Sequence, residues 1–146
     1  MTDSLRHRAL RLLAGREYAR VELQRKPAPL AESPGQLGLL LDDLQARRLL
    51  SDERYAEMRV TTRAGRFGNA RLADEMRRQG VADEVVAEAL AASDDELSRA
   101  QAVWTKKYGN LPVTDPAEKA KRMRFLASRG FSAESIRRVV RGDFDD

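Results

Sequence analysis

The chain has 146 residues, of which 34% are charged, 42% are hydrophobic and only 5% are aromatic. This composition is typical of charged helical proteins, and the length suits one domain or a few small units joined in one body. Because the chain has no cysteine and a single histidine, disulfides, thiolate zinc sites, iron–sulfur clusters and multi-histidine metal sites are excluded.

Positive charge is in modest excess. Basic residues number 27 against 23 acidic ones, a net charge of +4, and 22 of the basic residues are arginine. Arginine binds phosphates and carboxylates through a rigid fork of donors, so the excess favours an acidic partner. A GC-rich genome explains the excess equally well.

The N-terminal residues are charged almost from the start, and the leucine run at 39–41 is far too short for a signal peptide or a membrane span. We therefore expect a cytoplasmic protein with no membrane partner.

Apolar periodicity and helix-breaking residues predict nine short helices. Proline and glycine separate several of them, most clearly at 27–35 and at 109–116. The predicted helices lie near 4–14, 18–26, 35–48, 52–65, 69–79, 83–92, 94–108, 116–128 and 133–141.

A repeated helix–turn–helix corner organises these helices. Residues 76–86 align with 126–136 without a gap, at an offset of 50. Gly80 and Gly130 stand where a left-handed residue closes a helix, and Glu84 and Glu134 fall in the first turn of the next helix.

Ala82 and Ser132, two residues before these glutamates, stand at the N-cap positions of the following helices. The corner recurs at 44–55 with one extra residue and Ser51 as the cap, and more faintly at 13–23.

Grouping the helices in threes gives repeats at 1–50, 51–92 and 93–146. Each helix has only a narrow apolar stripe, such as Leu37, Leu40, Leu41 and Leu44, so a single trio is weak alone. We predict an all-α fold of three tandem three-helix repeats stacked into an elongated, curved body.

The sequence contains none of the common catalytic motifs. There is no phosphate-binding loop, zinc-protease motif or nucleophile elbow, and His7 stands between two arginines without an acid partner. Asp42 and Asp43 are adjacent on a helix and diverge, while Ser93 followed by three acidic residues is typical of a capped helix start. We expect no enzyme activity, no catalytic residue, no metal and no cofactor.

The motif Gly65-Arg-Phe-Gly68 matches the backbone-clamping loop of KH modules, but helical pattern on both sides favours a plain turn between helices. The aromatic residues occupy apolar or corner positions, so we interpret them as core and expect no base-stacking platform. These aromatic residues are Tyr18, Tyr55, Trp104, Phe125 and Phe131.

Basic residues concentrate in the windows 5–26, 54–79 and 117–141. If the repeats stack in register, these charges could line one surface that binds nucleic acid or an acidic nucleoprotein, although a solvated face explains any single arginine as well. The candidate binding residues are Arg59, Arg63 and Arg66, spaced as one helical stripe, with Arg71, Arg77, Arg78, Lys121, Arg122, Arg124, Arg137, Arg138 and Arg141.

Several motifs in order resemble the RecX family of bacterial RecA regulators. They lie at 9–23, 49–57, 63–68, 72–81, 104–109 and 121–132, essentially the whole chain, and 27–36 is the least typical part. The resemblance implies three tandem three-helix repeats, no catalysis, and binding to RecA filaments on single-stranded DNA. Such binding would block filament growth and lower ATP hydrolysis and strand exchange, which places the protein in recombination, DNA repair and the SOS response.

Two other functions remain open. The protein could bind single- or double-stranded DNA directly without acting through a recombinase, or it could be an adaptor that uses the stripe from Leu37 to Leu44 as an exposed groove. We expect a monomer in each case.

Overall fold

A computed structural model describes residues 4–26 and 33–142, and within these ranges the chain forms nine helices and no strand. The all-helical prediction is confirmed, and every predicted boundary lies within two residues of the observed one. The helices are α1 Leu5–Gly15, α2 Arg20–Arg25, α3 Pro34–Ala46, α4 Asp52–Arg63, α5 Asn69–Arg78, α6 Asp83–Ala91, α7 Glu96–Tyr108, α8 Pro116–Ser128 and α9 Ala133–Arg141.

The same helix-ending corner is built three times. Gly80 and Gly130 have φ angles of 77° and 89°, as predicted, and the next amide in each case bonds back to the carbonyl five residues earlier at 3.2 Å. In the corner after α3 the left-handed residue is Arg48, with φ 61°, and Leu49 N–H donates to the Leu44 carbonyl at 2.9 Å. A non-glycine residue can therefore close this corner, at a cost of about 1–2 kcal/mol.

Helix starts follow local capping chemistry. The Ser51 and Ser132 hydroxyls accept from the amides three residues on, at 3.1 Å each. The predicted start of α7 is wrong: Asp95, not Ser93, is the N-cap, and its carboxylate accepts from the Ser98 N–H at 2.7 Å. Ser93, Asp94 and Asp95 are all residue types that cap helices well. The structure uses Asp95, two residues after Ser93, as the N-cap.

Buried apolar side chains form three clusters. In each of the helix pairs with the most extensive contact, both helices come from the same trio. The first cluster contains Leu37, Leu40, Leu41 and Leu44, all at most 8% exposed. The stripe that the adaptor hypothesis requires as an exposed groove is therefore buried in the core of the first trio.

Consecutive trios meet through a recurring carboxylate contact. Asp52, the first residue of α4, accepts from the N–H of Arg20, the first residue of α2, at 2.8 Å. Glu96, the first residue of α7, accepts from the N–H of Asn69, the first residue of α5, also at 2.8 Å. In both junctions, the first helix of one trio thus caps the second helix of the preceding trio.

A second contact recurs at the same junctions. A Cβ added to Gly80 would lie 2.3 Å from the Val21 side chain, and one added to Gly130 would lie 2.4 Å from Arg71 Cβ. The glycine corners of the second and third trios thus pack closely against the second helix of the preceding trio. The two junctions have the same register and arrange the trios in a row, while the curvature of that row stays a prediction.

Candidate functional site

Many of the predicted binding residues are paired inside the chain. Arg59 and Arg63 both contact Glu75, at 3.7 and 2.6 Å, and α4 ends at Arg63, so the helical stripe does not continue to Arg66. The remaining pairs are Arg77–Asp83 at 2.9 Å, Arg78–Asp74 at 3.0 Å and Arg122–Glu118 at 3.1 Å. Arg66 is the one exposed member of the predicted stripe, and no carboxylate among residues 4–26 and 33–142 lies within ion-pair distance of it.

The ring of Phe67 is in contact with arginines from both the second and the third trio. Its ring is buried, and the guanidinium carbons of four arginines lie within 5.4 Å of the ring centroid. Arg71 also donates to the Ser128 carbonyl at 3.4 Å, which ties α5 to the end of α8. The four are Arg71 at 4.2 Å, Arg63 at 4.5 Å, Arg129 at 5.3 Å and Arg66 at 5.4 Å.

Beside this cluster lies an open groove of about 410 Å³ between the second and third trios, which we call the junction groove. Its lining contains four cations and no acidic residue, and its apolar surface includes the half-buried ring of Phe125. The ammonium of Lys107 lies 4.0 Å from the centroid of that ring, and the guanidinium carbon of Arg129 lies 5.0 Å from it. The lining residues are Gly65, Arg66, Ala102, Val103, Lys106, Lys107, Phe125 and Arg129.

Local sequence explains why the cations converge here. Lys106 and Lys107 occupy the last turn of α7, where the helix dipole favours positive charge. Arg129 immediately precedes the left-handed Gly130, and the corner packs against the start of α5 through Gly68 N–H donating to the Arg129 carbonyl at 2.8 Å. Arg66 lies in the turn after α4, which confirms that the Gly-x-x-Gly motif joins helices.

Three of the four groove cations are missing from the sequence-based candidates: Lys106, Lys107 and Arg129. Charge summed along the chain overlooks the lysine pair because it falls between two basic windows. A basic pair in the last turn of a helix and an arginine directly before a corner glycine are the features that could have indicated them. Phe125, interpreted from the sequence as core, packs against the third apolar cluster, but it is only half-buried and also lines the groove.

The other predicted cations lie away from the groove lining. Lys121 and Arg124 are exposed on α8, and Arg137 and Arg141 are exposed on α9, where Arg138 is half-buried. Arg122 packs against aromatic rings of its own trio, 4.3 Å from the centroid of Tyr108. Within the described residues, the structure therefore places one of the twelve candidates in the groove, five in internal ion pairs, Arg71 against Phe67, and the other five on α8 and α9.

Glu96 fastens the two trios that form the groove. Its carboxylate accepts from the Asn69 N–H at 2.8 Å, the Ser132 N–H at 3.1 Å and the Ser135 hydroxyl at 2.8 Å. Burial raises the pKa of Glu96, but these hydrogen bonds outweigh it and leave the pKa below its usual range. The ionised carboxylate therefore links the starts of α5 and α9.

Arg99 is buried beside this carboxylate and donates to the Asn69 side-chain oxygen. Burial lowers the pKa of the Arg99 guanidinium, while nearby carboxylates, chiefly Glu96, act in the opposite direction. Together with Glu96, it holds the turn before α5 against α7.

Residues 4–26 and 33–142 contain no group of three or more histidine or carboxylate side chains that could hold a metal ion. No helix in the same ranges is long and apolar enough to cross a membrane.

Comparison with known proteins gives a consistent result. Models of the second and third three-helix domains of RecX match residues 51–90 and 94–140. The regulatory protein RecX of Chromobacterium violaceum is 48% identical over 98% of this chain and 93% of its own length, and that of Neisseria meningitidis serogroup B is 37% identical over the same shares. A crystal structure of RecX from Lactobacillus salivarius has a TM-score of 0.80 at 19% identity, covers 95% of this chain and 94% of its own, and shows the shared fold.

Proposed function

Starting from the fact that the chain belongs to the RecX family, we propose that it regulates the RecA recombinase, mainly as an inhibitor. The protein binds RecA filaments assembled on single-stranded DNA, blocks their growth, and reduces ATP hydrolysis and strand exchange. It acts as a cytoplasmic monomer of three repeats, 1–50, 51–92 and 93–146, within recombination, DNA repair and the SOS response. Its relatives, which are named as regulatory proteins, support a binding role rather than catalysis.

One observation carries the proposal for the binding surface. Arg66, Lys106, Lys107 and Arg129 converge on the junction groove, and no carboxylate lies in its lining. Like charges that share a groove repel one another unless an anion is present, so this arrangement favours an acidic ligand. A nucleoprotein filament supplies such groups through DNA phosphates and protein carboxylates.

The row of trios extends the contact beyond the groove. Exposed cations on α8 and α9, such as Lys121, Arg124 and Arg137, lie in the same trio as Lys106 and Lys107. Several weak contacts on one body gain strength through effective concentration, so the chain can bind a repeating filament more tightly than any one contact allows. We propose that these outer cations contact the filament as secondary sites.

Co-sedimentation distinguishes this function from direct DNA binding. The chain is mixed with RecA filaments on single-stranded DNA held by a non-hydrolysable ATP analogue, or with the same DNA alone, across a salt series. We expect the filament to retain the chain at physiological salt and lose it steadily as salt rises, because ionic contacts are screened.

Retention on naked DNA as strong as on filaments would favour the second candidate, a sequence-independent DNA-binding protein. That candidate has a specific observation behind it, since the groove presents both cations and an aromatic ring. Retention that stays flat across the salt series would contradict the role of the basic groove.

A further inference from the structure

We propose that the junction groove binds one single strand of DNA, with phosphates on its four cations and a base stacked on Phe125. The inference rests on the proposed function and deepens it, because it names the filament component that the groove contacts.

The charge of the groove is available to a ligand. Lys106 and Lys107 are exposed and lie in no ion pair within the described residues, and Arg66 is likewise exposed. The adjacent pair Arg77 and Arg78, by contrast, ends α5 in a similar way but contacts Asp83 and Asp74. Binding a phosphate strand in the groove therefore breaks none of the ion pairs formed in the part of the chain that the structure describes, whereas binding it at the end of α5 would break two.

The aromatic ring of the groove is held in place from behind. Phe125 meets Tyr108 edge to face at a centroid distance of 5.9 Å, and Tyr108 meets Trp104 in the same way at 5.2 Å. Two groove cations lie near the ring, the ammonium of the exposed Lys107 at 4.0 Å from its centroid and the guanidinium carbon of Arg129 at 5.0 Å. Moving these cations from the ring to phosphates opens a surface on which a base can stack, and rings combined with cations are typical of proteins that bind single strands.

Other acidic ligands fit the groove less well. Duplex DNA keeps its bases stacked inside the helix, so Phe125 would have no base to contact. An acidic helical segment could pair with the four cations, but it has no base to stack on the Phe125 ring. A single strand offers both groups that the lining can bind, phosphates for the cations and an unpaired base for the ring.

Fluorescence anisotropy with the full-length chain tests the proposal. The probes are a labelled thymidine oligonucleotide of about 16 nucleotides and an abasic oligonucleotide with the same number of phosphates. The variants are Phe125→Leu, Phe125→Trp, the double variant K106Q/K107Q and the matched double variant R77Q/R78Q, with circular dichroism as the folding control.

We expect the wild type to prefer thymidine over the abasic strand by about tenfold, a typical contribution of one stacked base. Phe125→Leu removes that preference and Phe125→Trp restores it. K106Q/K107Q weakens binding to both strands and lowers the salt dependence of log K by about 1.4, since each phosphate contact on a single strand contributes about 0.7. R77Q/R78Q leaves both affinities unchanged.

Four results would overturn the proposal. Equal affinity for the two strands would mean that the groove binds anions only, and equal affinity for a duplex would remove the requirement for unpaired bases. Full competition by a glutamate-rich peptide, with no thymidine preference, would assign the groove to an acidic protein segment. An equal loss in R77Q/R78Q and K106Q/K107Q would assign the effect to net charge.

Inhibition of RecA by the wild type is measured in parallel. If the wild type inhibits RecA but shows no base-dependent binding, the inference fails and the proposed function stands. If the wild type shows base-dependent binding but does not inhibit RecA, the binding inference stands and the proposed function fails.

Discussion

At the residue scale, the most consequential side chain outside the groove is Glu96. One carboxylate serves two helix starts in different trios, through the amides of Asn69 and Ser132 and the hydroxyl of Ser135. The start of α5 has no side-chain cap of its own because its N-cap is Gly68. The junction therefore depends on a group from the next repeat.

Replacing Glu96 by Gln removes the ionised acceptor and leaves donors short of partners. We expect the free energy of unfolding at pH 7 to fall by about 1–2 kcal/mol, discounted because Glu96 is half-buried. Its folded pKa is lowered, so its contribution is complete above the ordinary carboxyl pKa and is lost as the pH falls through the folded value. Urea titrations should therefore show the wild type and variant converging below about pH 4.

The exposed Glu84, in the first turn of α6, provides the control. Glu84→Gln should change stability by only a few tenths of a kcal/mol. If Glu96→Gln were as stable as the wild type at neutral pH, the carboxylate would not hold the junction.

At the element scale, helices and their ends could be predicted from nearby residues because capping and left-handed corners are local. The predicted glycine corners at Gly80 and Gly130 are confirmed for that reason. The contacts between trios could not be predicted, since the pairs Asp52–Arg20 and Glu96–Asn69 join residues 32 and 27 positions apart. The residues next to Asp52 and Glu96 in the sequence do not distinguish them from ordinary acidic residues in the first turn of a helix.

The corner at Gly130 gives a prediction at this scale. Gly130→Ala imposes a left-handed alanine and places its Cβ 2.4 Å from Arg71 Cβ and 2.7 Å from the Arg71 backbone nitrogen. We expect a loss of at least about 3 kcal/mol in urea unfolding, because steric conflict adds to the cost of about 1–2 kcal/mol for the left-handed backbone.

Gly142 provides the matched control, since its φ is also positive, at 75°, and a Cβ there would meet nothing within 4 Å. Gly142→Ala should cost only the backbone contribution. Equal losses in the two variants would mean that the corner does not pack tightly against α5.

At the scale of the whole molecule, the basic surface depends on how the trios are placed. The groove joins a turn after α4, the last turn of α7 and the end of α8, so its four cations span 63 positions from Arg66 to Arg129. Charge summed along the chain includes Arg66 and Arg129 in basic windows but overlooks the lysine pair, and it cannot show that the four converge, because the junction brings them together. Pairing with Glu75, Asp83, Asp74 and Glu118 is likewise invisible in the sequence, and it accounts for five of the predicted cations.

We propose that this chain inhibits RecA through the junction groove, and ATP hydrolysis by RecA on single-stranded DNA is the readout that such inhibition changes. Wild type, K106Q/K107Q and R77Q/R78Q are each titrated from well below one chain per RecA. Both double variants lose two positive charges from the last turn of a helix, but only the first loses them from the groove.

We predict inhibition by the wild type and by R77Q/R78Q at substoichiometric ratios, and a several-fold higher concentration of K106Q/K107Q for the same inhibition. Equal potency of all three would contradict the role of the groove. Unchanged hydrolysis in the presence of excess wild type would contradict the regulatory function itself.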